Sequence, residues 1–151
     1  MTLNQKYANT VESGSYPSDV NVPLDDSFVD QRGEILNILL SPITSVARIT
    51  SKKGSVRANH FHKTDWHYAF VEAGKVLYFE REIGALTVPE PIVFLPGQMF
   101  FTKPNIEHAM LFVEDSTIYT FAKNIRSHDS HESDLVRVSF VTQDIIDRYV
   151  S

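Results

Sequence analysis

The chain has 151 residues, 42% of them hydrophobic and 11% aromatic, which supplies one full core and is short for two domains. Fourteen Lys and Arg stand against 19 Asp and Glu, a formal charge of −5, so no overall positive field draws the protein to nucleic acid or anionic lipid, and an anionic ligand must meet local cations. No cysteine is present, which excludes disulfides, thiolate metal sites and thiol nucleophiles.

Residues 1–27 are polar, are interrupted by Gly14, Pro17 and Pro23, and keep no hydrophobic period, so they read as an arm ahead of a single domain spanning residues 28–151. The opening lacks the charged-then-apolar order of a signal peptide, and no apolar run approaches the ~18 residues of a membrane span. A cytoplasmic protein with no membrane partner is expected. From Phe28 onward come short β-type runs, at residues 34–40, 44–50, 66–73, 75–82, 91–96, 98–102, 108–114, 116–123 and 134–141, separated by turn residues such as Gly74, Gly97 and Pro104. Their even spacing, with no helical pattern between them, predicts an all-β sandwich or barrel. Only residues 142–150 read as a helix, and residues 126–134, "RSHDSHESD", read as a solvated loop despite His128 and His131.

Within "GSVRANHFHKTDWHYAFVEAG", residues 54–74, three histidines lie close together. On a strand, residues two apart share a face, so His60 and His62 point the same way, His67 shares a face with Ala69 and Val71, and His108 shares one with Met110 and Phe112. Histidine followed by apolar groups is what a barrel interior with a polar mouth would show. Three or four neutral imidazoles gathered in one pocket suit a divalent transition ion such as Fe, Mn, Ni or Zn. Asp65 offers a replacement ligand for His67, although its place in "HKTDWH" suits a turn better.

The spacing from Gly54 through His60, His62 and His67 to Gly74 resembles the first cupin motif, with histidine at position 67 where cupins usually have glutamate. Gly97, Pro104 and His108 resemble the second motif, with Lys103 for the usual proline and Asn105 for the usual glycine; Asn tolerates the left-handed backbone such a turn needs. The resemblance implies a single-domain jelly-roll barrel (double-stranded β-helix) with a short C-terminal helix, and metal ligands at His60, His62, His67 and His108. Two further stretches, Asp30-Gln31-Arg32-Gly33 and the pattern Gly54, Arg57, His60, His62, Lys63, resemble the sugar-nucleotide branch, the 3,5-epimerases and 3,4-ketoisomerases of dTDP-4-keto-6-deoxyhexoses.

That resemblance implies isomerisation or epimerisation of a keto sugar nucleotide for polysaccharide biosynthesis, with no organic cofactor. On the carry-over His60 is the base and His62 a second acid or base, a task that needs neutral imidazole near pH 7. Arg57 is a diphosphate contact, although strict alternation sets it on the face opposite His60 unless a bulge intervenes. Lys63, Tyr68 and Phe112 complete the substrate-binding candidates, the aromatics by stacking at the mouth. The epimerase segment carrying the aspartate that pairs with the base is not visible after Lys123. A metal-dependent cupin dioxygenase and a non-catalytic sugar-binding cupin stand as alternatives. Pairing through the arm and an open sheet edge would give a homodimer.

Overall fold

A computed structural model describes residues 16–151, so the first part of the expected arm lies outside the described residues. Twelve strands follow one another: β1 (Asn21–Val22), β2 (Phe28–Asp30), β3 (Gly33–Ile35), β4 (Ser45–Ser51), β5 (Val56–His62), β6 (His67–Ala73), β7 (Val76–Glu82), β8 (Ile92–Phe94), β9 (Met99–Thr102), β10 (Ile106–Phe112), β11 (Ser116–Ala122) and β12 (Leu135–Arg137). Helix α1 (His128–Asp134) lies between β11 and β12, and α2 (Gln143–Tyr149) closes the chain. None of the described helices is long and apolar enough to cross a membrane.

Two five-stranded antiparallel sheets face each other, one in the order β1-β9-β6-β11-β4 and the other in the order β12-β5-β10-β7-β8; β2 and β3 form a separate hairpin. Alternation along the strands sorts the apolar residues into three layers. Ala69, Val71, Tyr78, Phe100, Met110, Phe112 and Ile118 fill the space between the sheets. Leu77, Phe79, Ala109 and Leu111, on the outer face of the second sheet, are covered by Phe140, Val141 and Ile145 of the C-terminal segment. Trp66, Tyr68, Phe70, Met99 and Phe101 lie on the outer face of the first sheet under Val22, Leu24, Leu36 and Ile38. This is the all-β barrel with a short C-terminal helix expected from the sequence.

Three expected elements differ. Residues 36–40 are not strand: Leu36, Ile38 and Leu39 lie over the outer aromatic layer instead, so their apolar character reflects packing without pairing. Of residues 134–141 only three pair with β5, and the chain then turns to cover the sheet. The stretch read as a solvated loop contains α1, capped where the Ser127 hydroxyl accepts the amide of Ser130 and carrying Asp129 in its first turn.

Candidate active site

β5 carries two of the four interior histidines and reaches them through an irregularity. Ala58 and Asn59 adopt φ of +67° and +60°, and the pairing with β10 shifts there, so that Arg57 lies opposite Met110 while His60 lies opposite His108. Directly opposed residues share a face, and Met110 and His108 are two apart, so the bulge turns Arg57 and His60 to the same side of the sheet. Asn59 locks the device. Its side chain accepts the amide of Val141 and donates to that residue's carbonyl, each at 3.0 Å, while its own carbonyl accepts from Val138 and Ser139. Asn105, also at positive φ, keeps the turn ahead of His108 and donates its amide to the carbonyl of His62.

The four rings meet between the sheets. His60 lies 4.7 Å from His62 and 4.9 Å from His108, ring centre to ring centre, and His67, from the facing sheet, is 5.8 Å from His108 and 6.2 Å from His62. His60, His62 and His108 each place one ring nitrogen within 4.8 Å of the others; His67 is not part of that set. All four are buried, and burial, reinforced by the neighbouring imidazoles, holds them neutral: His60, His62 and His108 are depressed to about 3, and His67 falls well below the usual imidazole value.

Hydrogen bonds fix two tautomers. Nδ1 of His108 donates to the Ile106 carbonyl at 3.1 Å, leaving its buried Nε2 with a free lone pair. Nδ1 of His62 donates to Oδ2 of Asp134 at 3.3 Å, which leaves Nε2 as the basic nitrogen. Asp134 ends α1 next to Leu135, which pairs with His62, and it accepts from the Thr64 hydroxyl and from the amides of Thr64 and Asp65. Burial opposes its charge, but these donors and His62 outweigh it and hold the carboxyl below the usual range. An aspartate thus pairs with an interior histidine, 72 residues from it in the chain, and the histidine is His62 and not His60.

A second site residue was missed. His131, three positions before Asp134 on α1, has its ring 5.3 Å from His62 and 6.2 Å from His60. The spacing of three, which sets two residues on one helical face, was the available signal, but it is read only once the helix is known.

Other expected residues lie elsewhere. Tyr68 points to the outer face of its sheet, away from His67, because neighbours on a strand face opposite ways; its hydroxyl, buried near Ser41, is raised to about 12 by burial. It lines an outer groove of about 510 Å³ with Tyr16, Val22, Leu39 and Met99, where there is no imidazole. Phe112 is fully enclosed in the central core and has no face to offer a ligand. Lys63 reaches back to the Ser133 carbonyl, securing α1. Arg57 is exposed, bonded to Ser51 Oγ and the Thr50 carbonyl, beside a hollow lined also by Lys52 and Ser55. Asp65 accepts from the amides of Trp66 and Asn124 and from Arg126, as suits a turn residue, and also has a carboxylate oxygen within 4.8 Å of ligand atoms of His62 and Asp134.

A scan of protein-family models and a search of curated proteins gave no match. Solved structures do match. A 3,4-ketoisomerase from Helicobacter canadensis is 16% identical, with a TM-score of 0.61 over 83% of this chain and 92% of that one. QdtA, a sugar 3,4-ketoisomerase from Thermoanaerobacterium thermosaccharolyticum solved with TDP, is 20% identical, with a TM-score of 0.59 over 83% and 90%. The chain has the cupin fold of these enzymes. The dTDP-4-dehydrorhamnose 3,5-epimerase of Sulfolobus tokodaii shares it too, at 20% identity and a TM-score of 0.55 over 71% of each chain. A variant of QdtA has also been solved with TDP-4-keto-6-deoxyglucose.

Proposed function

We propose that the protein isomerises or epimerises a keto sugar carried on a nucleoside diphosphate, in carbohydrate biosynthesis of the kind that feeds polysaccharide assembly. The observation that carries this reading is the His62–Asp134 pair in the barrel interior beside the neutral imidazoles of His60 and His108. Removing the proton beside a sugar carbonyl, the first step of either reaction, needs an uncharged base held in one orientation. His62, rather than His60, meets that need: Asp134 fixes its tautomer and stabilises the imidazolium that forms. His60, in edge contact with His62, is the second acid or base. Arg57, exposed beside the hollow lined by Lys52 and Ser55 and on the same side of the sheet as His60, is the diphosphate contact. The fold shared with enzymes solved with TDP and a TDP-keto sugar supports the substrate class.

The neutral nitrogens of His60, His62 and His108 also fit a divalent transition ion such as Fe, Mn, Ni or Zn. Bound there, such an ion supplies Lewis-acid polarisation of a carbonyl, with His62 then committed as a ligand. Metal analysis of the purified protein and incubation with dTDP-4-keto-6-deoxyglucose in D2O decide between the two uses. Deuterium is expected at the carbon beside the keto group, followed by a rearranged sugar, and both persist after chelation. No deuterium uptake, or oxygen consumption abolished by chelation, overturns the reading.

A further inference from the structure

The pair of His62 and Asp134 accounts for where a proton goes but not for the charge left behind. When the proton beside a carbonyl is taken by Nε2 of His62, the C–H electron pair becomes a carbon–carbon π bond and the carbonyl π pair moves onto oxygen. The resulting enolate oxygen needs a fixed donor or positive charge where water is scarce. His62 and His108 present lone pairs on Nε2 and none of the four imidazoles is charged, so a positive charge for that oxygen has to come from another group.

One cation is built into the same wall. Arg126 follows β11, whose last residue, Ala122, pairs with His67. Its Nε donates to Oδ2 of Asp65 at 3.1 Å, and Asp65 is only 2% exposed and is itself fixed by the amides of Trp66 and Asn124. The guanidinium is thereby held in one plane, and its Nη2 is buried without a hydrogen-bond partner among the described residues. Its charge reaches His60, His62, His67, His108 and His131, contributing to the depression of each after burial itself. A buried N–H with no acceptor is costly, and an acceptor that arrives with a ligand removes the cost.

We infer that Nη2 of Arg126 donates to the substrate's carbonyl oxygen and holds the enolate charge while His62 holds the proton, with Asp65 as the residue that positions it. The inference rests on the proposed isomerase or epimerase function. Guanidinium suits the task because it stays charged and its N–H groups project in fixed directions.

Arg126→Gln combined with Asp65→Asn removes both charges without leaving a buried carboxylate unpaired. Incubated with dTDP-4-keto-6-deoxyglucose in D2O, this double variant is expected to lose roughly a hundred- to a thousandfold in deuterium uptake, as is usual when one oxyanion donor is removed. The loss appears in kcat with KM little changed, and dTDP still raises the melting temperature, which a merely structural role would not give. A folded double variant that exchanges within about threefold of the wild type, or a loss confined to KM, overturns the inference. Should the double variant not fold, Arg126→Lys decides in the same way: a slower rate at constant KM supports the inference and a wild-type rate refutes it. Wild-type exchange with unaffected variants sinks this inference alone. Absence of exchange in the wild type removes the proposed function and this inference with it.

Discussion

Asp134 accepts from Nδ1 of His62 while three donors from Thr64 and Asp65 hold the carboxylate in place, so its charge can be removed with little change of shape. In Asp134→Asn an amide nitrogen turned toward His62 would favour the opposite tautomer and place the lone pair on the wrong side of the ring. The expected result is a fall in kcat of roughly 10²–10⁴-fold with the protein still folded, read as deuterium uptake into the keto sugar. A rate near that of the wild type would remove Asp134 from the chemistry. The same histidines set a pH dependence of stability. Folded, His60, His62 and His108 are depressed to about 3, whereas an unfolded imidazole titrates near 6.5. Between those values the unfolded chain binds more protons, so stability rises with pH through that window and levels off above it. Urea midpoints should therefore be clearly lower at pH 4.5 than at pH 7.5; equal midpoints would show that the imidazoles are not held neutral. Strand alternation set the face of each histidine, and the resemblance to the cupin motifs brought His60, His62, His67 and His108 to one pocket. Asp134 and His131 were not legible, because what joins them to the site is a tertiary contact across 72 positions, which local periodicity does not encode.

At the scale of elements, the β5 bulge decides what the barrel interior contains. Without it Arg57 and His60 would face opposite ways, a conflict visible in the sequence along with the need for a bulge; its form was not, and both Ala58 and Asn59 take up left-handed backbone. Asn tolerates that conformation, and its side chain forms two bonds to Val141. Asn59→Ala raises the strain, because Ala lacks the tolerance of Asn for left-handed backbone, removes both bonds and loosens the segment that covers the outer layer. A loss of about 2–3 kcal/mol is expected from chemical denaturation, together with reduced exchange activity as His60 loses its register. A change under about 0.5 kcal/mol would mean that β10 pairing alone holds the bulge. Strands β4, β6, β7, β9, β10 and β11 were legible because each alternates or is apolar throughout and ends at a turn residue. Helix α1 was not, since its seven residues contain no buried side chain and so show no apolar face.

At the scale of the whole molecule, the hairpin of β2 and β3 stands apart from both sheets. It carries Phe28, Val29 and Ile35 at 60%, 69% and 59% exposure, and Phe28 lies directly opposite Ile35. A lone two-stranded hairpin is marginal in water, and an apolar cross-strand pair left open on it gains stability only when something covers it. The described part of the arm offers little cover: Val20, Val22 and Leu24 are already spent against the barrel, and β1 pairs with β9 over only two residues. A second copy of the chain, brought up by a two-fold axis, would cover both hairpins at once. Light scattering at micromolar concentration should then give a dimer's mass, and Phe28→Ser with Ile35→Ser should shift it toward the monomer and lower the melting temperature. A wild-type monomer, or a double variant that keeps the dimer's mass and melting temperature, would show that the exposed pair is not an interface. The histidines of the candidate site lie between the sheets of one chain, so separating the copies should leave deuterium exchange measurable in the monomer.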